Sequence, residues 1–585
     1  MTEINGGTII GERLAAHGVR HLFTLCGGHI SPILVGAQQH GIRVVDVRDE
    51  ANAVFAADAV ARMTGIPGVA AVTAGPGVTN TITAVKNAQM AQSPLLIFGG
   101  ATPTVLMGRG SLQDIDQMAL MKPLVKWATS VRTVQSMGST VDRAIEIATS
   151  GTPGPVFIEV PIDVLYPESL VKEWYVRDSG LEGVKGIAAT AMRAYLQAHL
   201  KRQFHQPDLH VDLPRPDVRA VTSLADDALI SRAAEAVRNA ERPAMVIGSQ
   251  ALVNYTPDQA RRLAEAVEQL GIPVWLGGTA RGLLGRFSDI QFRHKRGNAL
   301  KEADVVIVAG FPFDFRLSYG RAISAKAKLI AANLNGSDLL KNRRPDIPLL
   351  MHPGGFLEAL AARVPGSPAD RAPWFERLRE REQARDNEIA GKGSPATEGV
   401  NPLGFFLQME QKMSDDAVLV VDGGDFVATG AYILRPRGPL SWLDPGVFGT
   451  LGVGGGFAVG AALCRPESEV WLIWGDGSSA YSLAEFDTCV RHGLAPIAVI
   501  GTDASWAQIA REQVEVLGTD IGTCLLHTDY QKVAEGYGGV GILVTSEDQV
   551  GPALDEAKKV AASGRPVCVN IHLSSSDFRK GSISM

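Results

Sequence analysis

The sequence predicts an α/β fold built from three doubly wound, parallel-sheet domains. Short apolar runs such as HLFTL, GVAAVTA and PVFIEVP alternate with helical patterns, and most runs end in Gly, Pro or Asp. Apolar runs of this length without polar alternation are typical of strands buried on both faces of a parallel sheet. The chain has 585 residues, which is too many for one core, because single cores stop growing near ~250–300 residues.

The apolar runs fall into three groups of similar size, separated by polar or charged stretches. Composition shifts of this kind are typical of linkers between domains. Three domains, two linkers and a terminal arm or lid are therefore expected, in this order: 1–185 (N-terminal domain), 186–225 (Pro-rich linker), 226–365 (central domain), 366–400 (linker with an exposed helix), 401–570 (C-terminal domain) and 571–585 (arm).

Composition excludes several classes of function. The net charge of −6 gives no reason to expect a nucleic-acid partner. The five cysteines form no CxxC pair and are odd in number, which favours free thiols in a reducing compartment. No signal peptide is visible, and no apolar stretch reaches the ~18 residues of a membrane span. A cytoplasmic protein without a membrane partner is expected.

Two aspartates follow two apolar strands of the C-terminal domain. Asp476 follows the run EVWLIW within a GDGSS sequence, and Asp503 follows the run PIAVIG, 27 residues later. Open α/β sheets bind ligands at the carboxyl ends of their strands, and carboxylate oxygens are ligands that Mg²⁺ prefers. A short GDG sequence is common in plain turns, so the second acid is what favours a metal site.

The residues around Asp476 suit a phosphate group. Gly475 and Gly477 let a ligand approach the backbone closely, and Ser478 and Ser479 offer hydrogen-bond donors. A diphosphate held by a divalent cation is therefore the ligand that we expect at this strand end.

Glu50 ends the sequence VDVRDE and opens the helical pattern ANAVFAADAVARMTG. Taken alone, it is an ordinary glutamate in the first turn of a helix, where the helix dipole favours negative charge. Its place at a strand end, next to a cleft, also allows a catalytic role.

Together these motifs resemble the thiamine-diphosphate enzymes. Arg48, Glu50 and the alanines that follow match the motif around the activating glutamate of that family. The resemblance implies that Glu50 hydrogen-bonds N1′ of the cofactor's aminopyrimidine and favours the imino tautomer that removes the C2 proton. It also implies a homodimer as the smallest active species, with a homotetramer expected, because this glutamate acts on cofactor held by a neighbouring subunit.

The resemblance also implies the metal ligands. The side chains of Asp476 and Asp503 and the carbonyl of Ser505 would bind Mg²⁺ and, through it, thiamine diphosphate. The family usually has Asn at the position of Asp503 and often at Thr502. Aspartate keeps the oxygen ligand and adds a negative charge, whereas Thr502 is not a ligand position.

Two more segments resemble parts of the family's cofactor site. Gly449 and Leu451, in GTLGVGGGFAVGAA, correspond to the segment that holds the aminopyrimidine, with Leu451 forcing the cofactor's bent shape. The 424–426 segment, which follows VVDGG, corresponds to a loop that contacts the diphosphate from the other side. That segment comprises Gly424, Asp425 and Phe426.

The sequence GGHISP, from Gly27, resembles the same segment of the 2-hydroxyacyl-CoA lyases, and Gln113 matches an active-site glutamine. The resemblance covers essentially the whole chain. It implies cleavage of a 2-hydroxyacyl-CoA to formyl-CoA and an aldehyde or ketone, or the reverse condensation. His29 would be the proton acceptor, although a structural histidine is the alternative. Arg579 and Lys580 in the arm would bind phosphates of coenzyme A.

Other functions stay open from the sequence. An acetolactate synthase would condense pyruvate and hold a flavin in its central domain. The sequence from Gly310 to Arg316 resembles the segment that holds ADP or FAD in relatives. A cofactor-binding scaffold without chemistry is disfavoured, since Glu50 and Asp476 are both present.

Overall fold

The computed structural model describes residues 5–205, 224–364 and 371–581. The chain divides into two compact units, one made of Met1–Ala61 with Ile66–Val218 and one made of Arg62–Gly65 with Arg219–Met585. The described residues form three sheets of six, five and six strands, and all pairs of named strands are parallel. The predicted fold class is confirmed.

The first unit contains the N-terminal sheet. Its strands are β1 (His21–Leu25), β2 (Arg43–Asp46), β3 (Gly68–Val72), β4 (Leu95–Ala101), β5 (Trp127–Ser130) and β6 (Val156–Pro161). The α-helices in this part of the chain are Gly6–Ala16, Ser31–Gln39, Glu50–Thr64, Pro76–Asn80, Ile82–Ala91, Gln117–Met121, Met137–Thr149, Glu168–Asp178 and Ile187–Gln203.

The second unit contains the central sheet and the C-terminal sheet. The central strands are β7 (Pro243–Ile247), β8 (Val274–Leu276), β9 (Val305–Ala309), β10 (Lys328–Asn333) and β11 (Ile347–Leu350). The C-terminal strands are β12 (Val418–Asp422), β13 (Trp442–Leu443), β14 (Val470–Gly475), β15 (Ile497–Thr502), β16 (Val540–Val544) and β17 (Val567–His572).

The α-helices of the second unit surround these two sheets. They are Leu224–Arg238, Pro257–Leu270, Arg296–Glu302, Gly336–Leu339, Pro353–Ala361, Ala372–Lys392, Pro402–Lys412, Asp425–Ile433, Val453–Cys464, Asp476–Ser479, Glu485–His492, Ala507–Leu517, Tyr530–Gly536 and Glu547–Ala562.

The N-terminal and C-terminal sheets have the same strand order, β2-β1-β3-β4-β6-β5 and β13-β12-β14-β15-β17-β16. In each sheet, the first and third strands along the chain are neighbours, so their connections leave toward opposite sides. Such a switch point leaves a crevice at the carboxyl ends of the two strands. The topology therefore provides one ligand crevice beside β1 and β3 and another beside β12 and β14.

Buried aliphatic strands hold these crevices in place. Every residue of β3, β4, β12 and β15 is buried, as the uninterrupted apolar runs predicted. Helices cover both faces of a sheet of this kind, so its strands carry no polar alternation. In these four strands, the polar residues Asp422 and Thr502 stand at the strand ends, where the crevices lie.

The first part of the predicted linker 186–225 is helical. Residues Ile187–Gln203 form a helix that packs through Ala189, Leu196 and Leu200 on Val171 and Tyr175 of the preceding helix. The apolar residues repeat at helical spacing, which the Pro-rich composition further along obscured. Residues 206–223 of this segment lie outside the described part of the chain.

The second predicted linker contains the helix Ala372–Lys392, whose side chains of Trp374, Leu378 and Ile389 are buried rather than exposed. Strand β17 continues to His572, so the arm begins slightly later than expected. None of the described helices is both long and apolar enough to cross a membrane.

Candidate active site

The turn that follows β14 lies at the crevice beside β12 and β14. Its two serine hydroxyls donate hydrogen bonds to backbone carbonyls. The Ser478 hydroxyl donates to the carbonyls of Asp422, at 2.7 Å, and Gly475, at 3.0 Å. The Ser479 hydroxyl donates to the Asp476 carbonyl at 2.7 Å. Both hydroxyl protons are therefore engaged by the backbone. The backbone N–H groups of this turn, rather than the serine hydroxyls, would then make the expected phosphate contacts.

The two aspartates predicted as metal ligands leave adjacent strands. Strands β14 and β15 pair with Gly475 opposite Gly501, which places Asp476 and Asp503 at the same edge of the sheet. The Ser505 N–H donates to Asp503 Oδ1 at 3.1 Å, across Ala504, whose φ of 55° is left-handed. Non-glycine residues in this conformation are strained, and strain of this kind concentrates at functional sites.

The electrostatics of this pair fit a cation. Asp476 Oδ1 accepts a hydrogen bond from Gly477, but Oδ2 is buried without any hydrogen-bond partner. Burial, followed by the nearby charge of Asp476, raises the pKa of Asp503 to about 7. Burial also raises the pKa of Asp476. A buried and a half-buried carboxylate with an unused ligand atom between them favour a positive ion, and a hard divalent cation meets this need.

Asp422, at the end of β12, connects the 449–452 segment to β14. It was not predicted as a site residue from the sequence. Its carboxylate accepts the N–H groups of Gly452 and Gly454, at 3.2 and 2.9 Å, and the indole N–H of Trp474 at 3.1 Å. Burial raises the pKa of Asp422 to about 7, although these donors oppose the shift. Asp422 thereby fixes the 449–452 segment, which holds Gly449 and Leu451, against β14.

Trp506 lies against the turn that follows β14. A Cβ atom on Gly477 would come within 2.4 Å of the Trp506 ring, so this position excludes any side chain. Gly477 was predicted as a position where a ligand approaches the backbone. It must be glycine for a second reason, because the Trp506 indole packs against it. A tryptophan directly after the metal-ligand segment is the sequence signal for this contact.

In the 424–426 segment, Gly424 lies at the crevice, whereas the side chain of Phe426 lies in the core. Gly424 faces Gln508, whose Oε1 would lie 3.3 Å from an added Cβ. Phe426 is buried and packs on Phe406, with ring centroids 4.5 Å apart. Its side chain therefore belongs to the core, and only its backbone is left for a ligand. The Asp425 carboxylate is paired with arginines, as described below.

In the first unit, Glu50 is the first residue of the helix Glu50–Thr64 and is 6% exposed. Its Oε2 accepts a hydrogen bond from the Asn80 side chain at 3.0 Å. Its Oε1 would lie 3.6 Å from a Cβ on Gly77, beside the turn that follows β3. One carboxylate oxygen is thus fixed by an amide, and the other faces the crevice of β1 and β3.

Thr73, directly after β3, contacts both His29 and Gln113 at the crevice beside β1 and β3. His29 Nδ1 lies 3.3 Å from Thr73 Oγ1, and that hydroxyl lies 3.5 Å from Gln113 Oε1. If the hydroxyl donates to the glutamine oxygen, His29 Nδ1 carries the proton and Nε2 is the acceptor. Burial lowers the pKa of His29, which keeps the imidazole neutral.

The backbone around this chain of side chains is tightly packed. Gln113 has a left-handed φ of 63°. A Cβ on Gly100 would lie 2.6 Å from the His29 Cβ, and a Cβ on Gly75 would lie 3.0 Å from that of Gln113. Gln117 links the two glycine positions, since it bonds the Gly75 N–H and the Gly100 carbonyl. The three predicted catalytic residues are therefore gathered around one pair of strand ends.

Residues that sequence reasoning missed here are Thr73, Asn80 and Gln117. Thr73 and Asn80 lie in the segment VTAGPGVTN, directly after an apolar strand, and Gln117 lies four residues after Gln113. Their position near a strand end is a signal. The strand order that makes this end a switch point is not visible in the sequence.

A basic cavity of about 650 Å³ lies between the central and C-terminal sheets of the second unit. Six cationic residues line it: Arg281, Arg293, Lys295, Arg296, Arg385 and Arg579. Aromatic rings of Trp275, Phe292 and Tyr432 complete its wall, and none of the described residues that line it is acidic. Burial and the guanidiniums of Arg281 and Arg316 lower the pKa of Arg296. Arg293 and Arg385 are paired with acids outside the wall, Asp386 at 2.9 Å and Glu388 at 2.6 Å, so the other lining cations supply the positive charge that favours an anionic ligand.

The predicted nucleotide segment from Gly310 to Arg316 does not itself line this cavity. Arg316 is engaged by Asp314, at 2.6 Å, and lies over the Phe311 ring. The segment instead supports the wall, because Arg296 donates to the Arg316 carbonyl at 2.6 Å.

Comparison with known proteins decides the family. Residues 4–120 match the description "Thiamine pyrophosphate enzyme, N-terminal TPP binding domain", and residues 422–571 match the corresponding C-terminal TPP binding domain. Residues 230–360 match the central domain of the same enzymes. The chain is 49% identical to 2-hydroxyacyl-CoA lyase 2 of Danio rerio, over 99% of this chain and 93% of the relative.

The chain belongs to the 2-hydroxyacyl-CoA lyase family of thiamine pyrophosphate enzymes. The human 2-hydroxyacyl-CoA lyase 2 is 48% identical over 99% of this chain and 92% of its own length. The acetolactate synthase large subunit IlvG of Mycobacterium tuberculosis is 33% identical, over 97% and 95%. Both crevices lie inside the matched thiamine pyrophosphate binding domains, which agrees with the predicted cofactor.

The raised pKa of Asp503 predicts that metal binding in this lyase-family protein depends on pH. A cation would bind the deprotonated carboxylate, whose pKa burial and the charge of Asp476 raise to about 7. The affinity for Mg²⁺ should therefore be highest above pH 7 and should fall about tenfold per pH unit below it. Calorimetric titration with Mg²⁺ between pH 6 and pH 8.5 measures this slope.

Asp503→Asn is the matched control, since the amide keeps an oxygen ligand but does not titrate. Its Mg²⁺ affinity should be weaker above pH 7 and should vary less with pH. An identical slope in both proteins would show that another group controls metal binding.

Proposed function

We propose that this protein cleaves 2-hydroxyacyl-CoA thioesters to formyl-CoA and an aldehyde or ketone, and that it catalyses the reverse condensation. The observation that carries this proposal is the alignment of His29, Thr73 and Gln113 at the switch point of the N-terminal sheet. It places an imidazole whose pKa is lowered by burial in the crevice that also holds Glu50. The names of the relatives agree with this reaction.

Thiamine diphosphate, when bound, supplies the nucleophilic carbon and the electron sink for breaking the carbon–carbon bond. Glu50 would hold a proton at the aminopyrimidine N1′. Its fixed oxygen, bonded to Asn80, leaves the other oxygen for that contact. The orientation of this carboxylate by an amide supports the role, because general acid–base catalysis depends on a positioned group.

His29 Nε2 would accept the proton of the substrate 2-hydroxyl as the carbon–carbon bond breaks, and would return it in the condensation. Burial lowers the pKa of the imidazole, so it begins the step unprotonated. Thr73 would fix the tautomer through Nδ1, and Gln113 would fix Thr73. The side-chain amide of Gln113 is then available to orient the substrate.

At the second crevice, Asp476, Asp503 and the Ser505 carbonyl would hold Mg²⁺. The orphaned Oδ2 of Asp476 supports this set. The backbone of Gly475, Gly477, Ser478 and Ser479, with that of Gly424, would face the diphosphate. Gly449 and Leu451 would hold the aminopyrimidine.

A homodimer is proposed as the smallest active species, with a tetramer as the expected assembly. Glu50 belongs to the first compact unit, whereas Asp476 and Asp503 belong to the second. Family resemblance supports the pairing of these sites across two subunits. A cytoplasmic location is proposed on the basis of five cysteines, all of which are free.

The basic cavity is proposed to bind the anionic part of a nucleotide. ADP and FAD are the candidates from family resemblance, and the nucleotide of coenzyme A is favoured by Arg579, which lines the cavity from the arm. Lys580, the next residue, is exposed and available for a further phosphate.

The second candidate reaction is acetolactate synthesis from pyruvate, favoured by the identity of 33% to IlvG. The lyase is preferred because a proton acceptor is present at His29, where acetolactate synthases lack histidine. A direct assay separates the two. The protein with Mg²⁺ and thiamine diphosphate should form formyl-CoA from 2-hydroxyacyl-CoAs and no acetolactate from pyruvate, as measured by mass spectrometry. Acetolactate without formyl-CoA would overturn the proposal.

Replacement of His29 tests its role as the proton acceptor. His29→Asn should lower kcat for formyl-CoA formation by about 10²–10⁴-fold, because a positioned general base is lost. The affinity for thiamine diphosphate should stay within about twofold, since the diphosphate site lies elsewhere. His40→Asn, a matched change in the same unit at a ring that bonds the Gly36 carbonyl, should retain activity. Equal kcat in both variants would remove His29 from the mechanism.

The ligand of the basic cavity can be identified by spectroscopy and calorimetry. A flavin would show in the absorbance of the purified protein near its visible band, whereas ADP and coenzyme A would not. Arg296→Gln should weaken ADP or coenzyme A binding at least tenfold through the loss of a buried charge–phosphate contact. Unchanged affinity for every nucleotide in this variant would show that the cavity is not their site.

A further inference from the structure

Asp425 lies between two arginines from distant parts of the second unit. Arg511 Nη2 is 2.6 Å from Asp425 Oδ1, and Arg579 Nε is 3.8 Å from the same oxygen. The exposed fractions of these three side chains are only 14–18%. Asp425 Oδ1 is buried and makes no hydrogen bond, so the two guanidiniums are its ion-pair partners. A negative group held in this way is a poor contact for a diphosphate, which argues against the ligand role expected from the sequence.

Arg511 connects Asp425 to the metal-ligand segment. It lies in the helix Ala507–Leu517, which begins just after Asp503 and Ser505, and none of the residues of this helix is buried. Because no face of this helix is buried, individual side-chain contacts hold it to the rest of the unit. The Asp425–Arg511 ion pair is such a contact, on the side that faces the 424–426 segment.

Arg579 connects Asp425 to the basic cavity. The preceding residue, Phe578, is buried and packs edge-on against Tyr432, with ring centroids 5.6 Å apart. Arg385 lies 4.9 Å from the Phe578 ring. The arm is therefore attached to two residues of the cavity wall, Tyr432 and Arg385, and contributes a third, Arg579.

The two arginines also contact each other's segments. Arg511 Nη1 donates to the Arg579 carbonyl at 3.3 Å. Arg579 Nε is buried without a hydrogen-bond partner and faces Asp425. A guanidinium has donors on both edges, so Nε can approach Asp425 while the terminal nitrogens meet an anion in the cavity.

We propose that Asp425 is a positioning residue that couples the basic cavity to the metal–diphosphate site. An anion in the cavity holds Arg579, which draws its Nε onto Asp425 and orders the arm. Asp425 then holds Arg511 and the helix that follows the metal ligands. Each ligand should therefore raise the affinity for the other by the same factor. This coupling rests on the proposed ligands of the two sites.

The first test needs no ligand. In Asp425→Asn, the amides of 507–517 and of 573–581 should exchange hydrogen at least several-fold faster than in the wild type, and both segments should change together. Asp555→Asn is the matched control, because it removes an exposed ion pair with Lys412 in the same domain. Exchange that is unchanged in Asp425→Asn, or changed in only one segment, would overturn the role of Asp425.

The second test measures the coupling itself, from tryptophan fluorescence during titration with thiamine diphosphate at fixed Mg²⁺, with and without ADP or coenzyme A. The wild type and Asp555→Asn should bind the cofactor at least fivefold more tightly with the nucleotide present. Asp425→Asn and Arg579→Gln should show less than a twofold effect. A purely structural role for Asp425 would weaken binding equally in both conditions.

The failures of the two proposals differ. If a nucleotide binds the wild type by calorimetry and leaves the cofactor affinity unchanged, the coupling is wrong and the cavity assignment stands. If neither ADP nor coenzyme A binds, the nucleotide assignment of the cavity is wrong, and the coupling built on it is overturned as well.

Discussion

The candidate site depends on two carboxylates withdrawn from water at the ends of the adjacent strands β14 and β15. Asp476 and Asp503 raise the free energy of the cation-free protein, because burial and mutual repulsion disfavour their charged forms. The proposed cation would relieve this cost, so the site is built for a positively charged ligand. The surrounding features all fix these two groups: the left-handed Ala504, the serines that donate to the backbone, and Trp506 against Gly477.

The same strand order in the N-terminal and C-terminal sheets explains why two crevices of different chemistry arise from one architecture. In the C-terminal sheet, the switch point carries acids and glycines, which suit a metal and a diphosphate. In the N-terminal sheet, it carries Glu50, His29, Thr73 and Gln113, which suit proton transfer. The central sheet contributes instead a wall of the basic cavity. Chemistry in this protein is therefore set by strand-end residues on a common scaffold.

The sequence predicted the fold class and the strands well, because uninterrupted apolar runs reflect burial on both faces. It also identified Glu50, His29 and Gln113, which the structure brings to one crevice. It could not predict what connects them: Thr73 and Asp422 act through contacts across strands, which follow from strand order and not from spacing. The helix Ile187–Gln203 was missed for a related reason, as Pro-rich composition nearby outweighed its helical periodicity. Asp425 is predicted from the sequence to contact the cofactor. Its ion pairs with Arg511 and Arg579 could not be predicted, because neither arginine is near it in sequence.

Cofactor activation by Glu50 is the central claim, and one substitution measures it most directly. Glu50→Gln keeps the size of the side chain and its contact with Asn80, but its amide cannot exchange a proton with N1′ of the aminopyrimidine. The rate of formyl-CoA formation from a 2-hydroxyacyl-CoA should fall by about 10²–10⁴-fold, while thiamine diphosphate and Mg²⁺ still bind by calorimetry. A variant that binds the cofactor and turns over within about tenfold of the wild-type rate, about 1.4 kcal/mol in barrier height, would contradict the account.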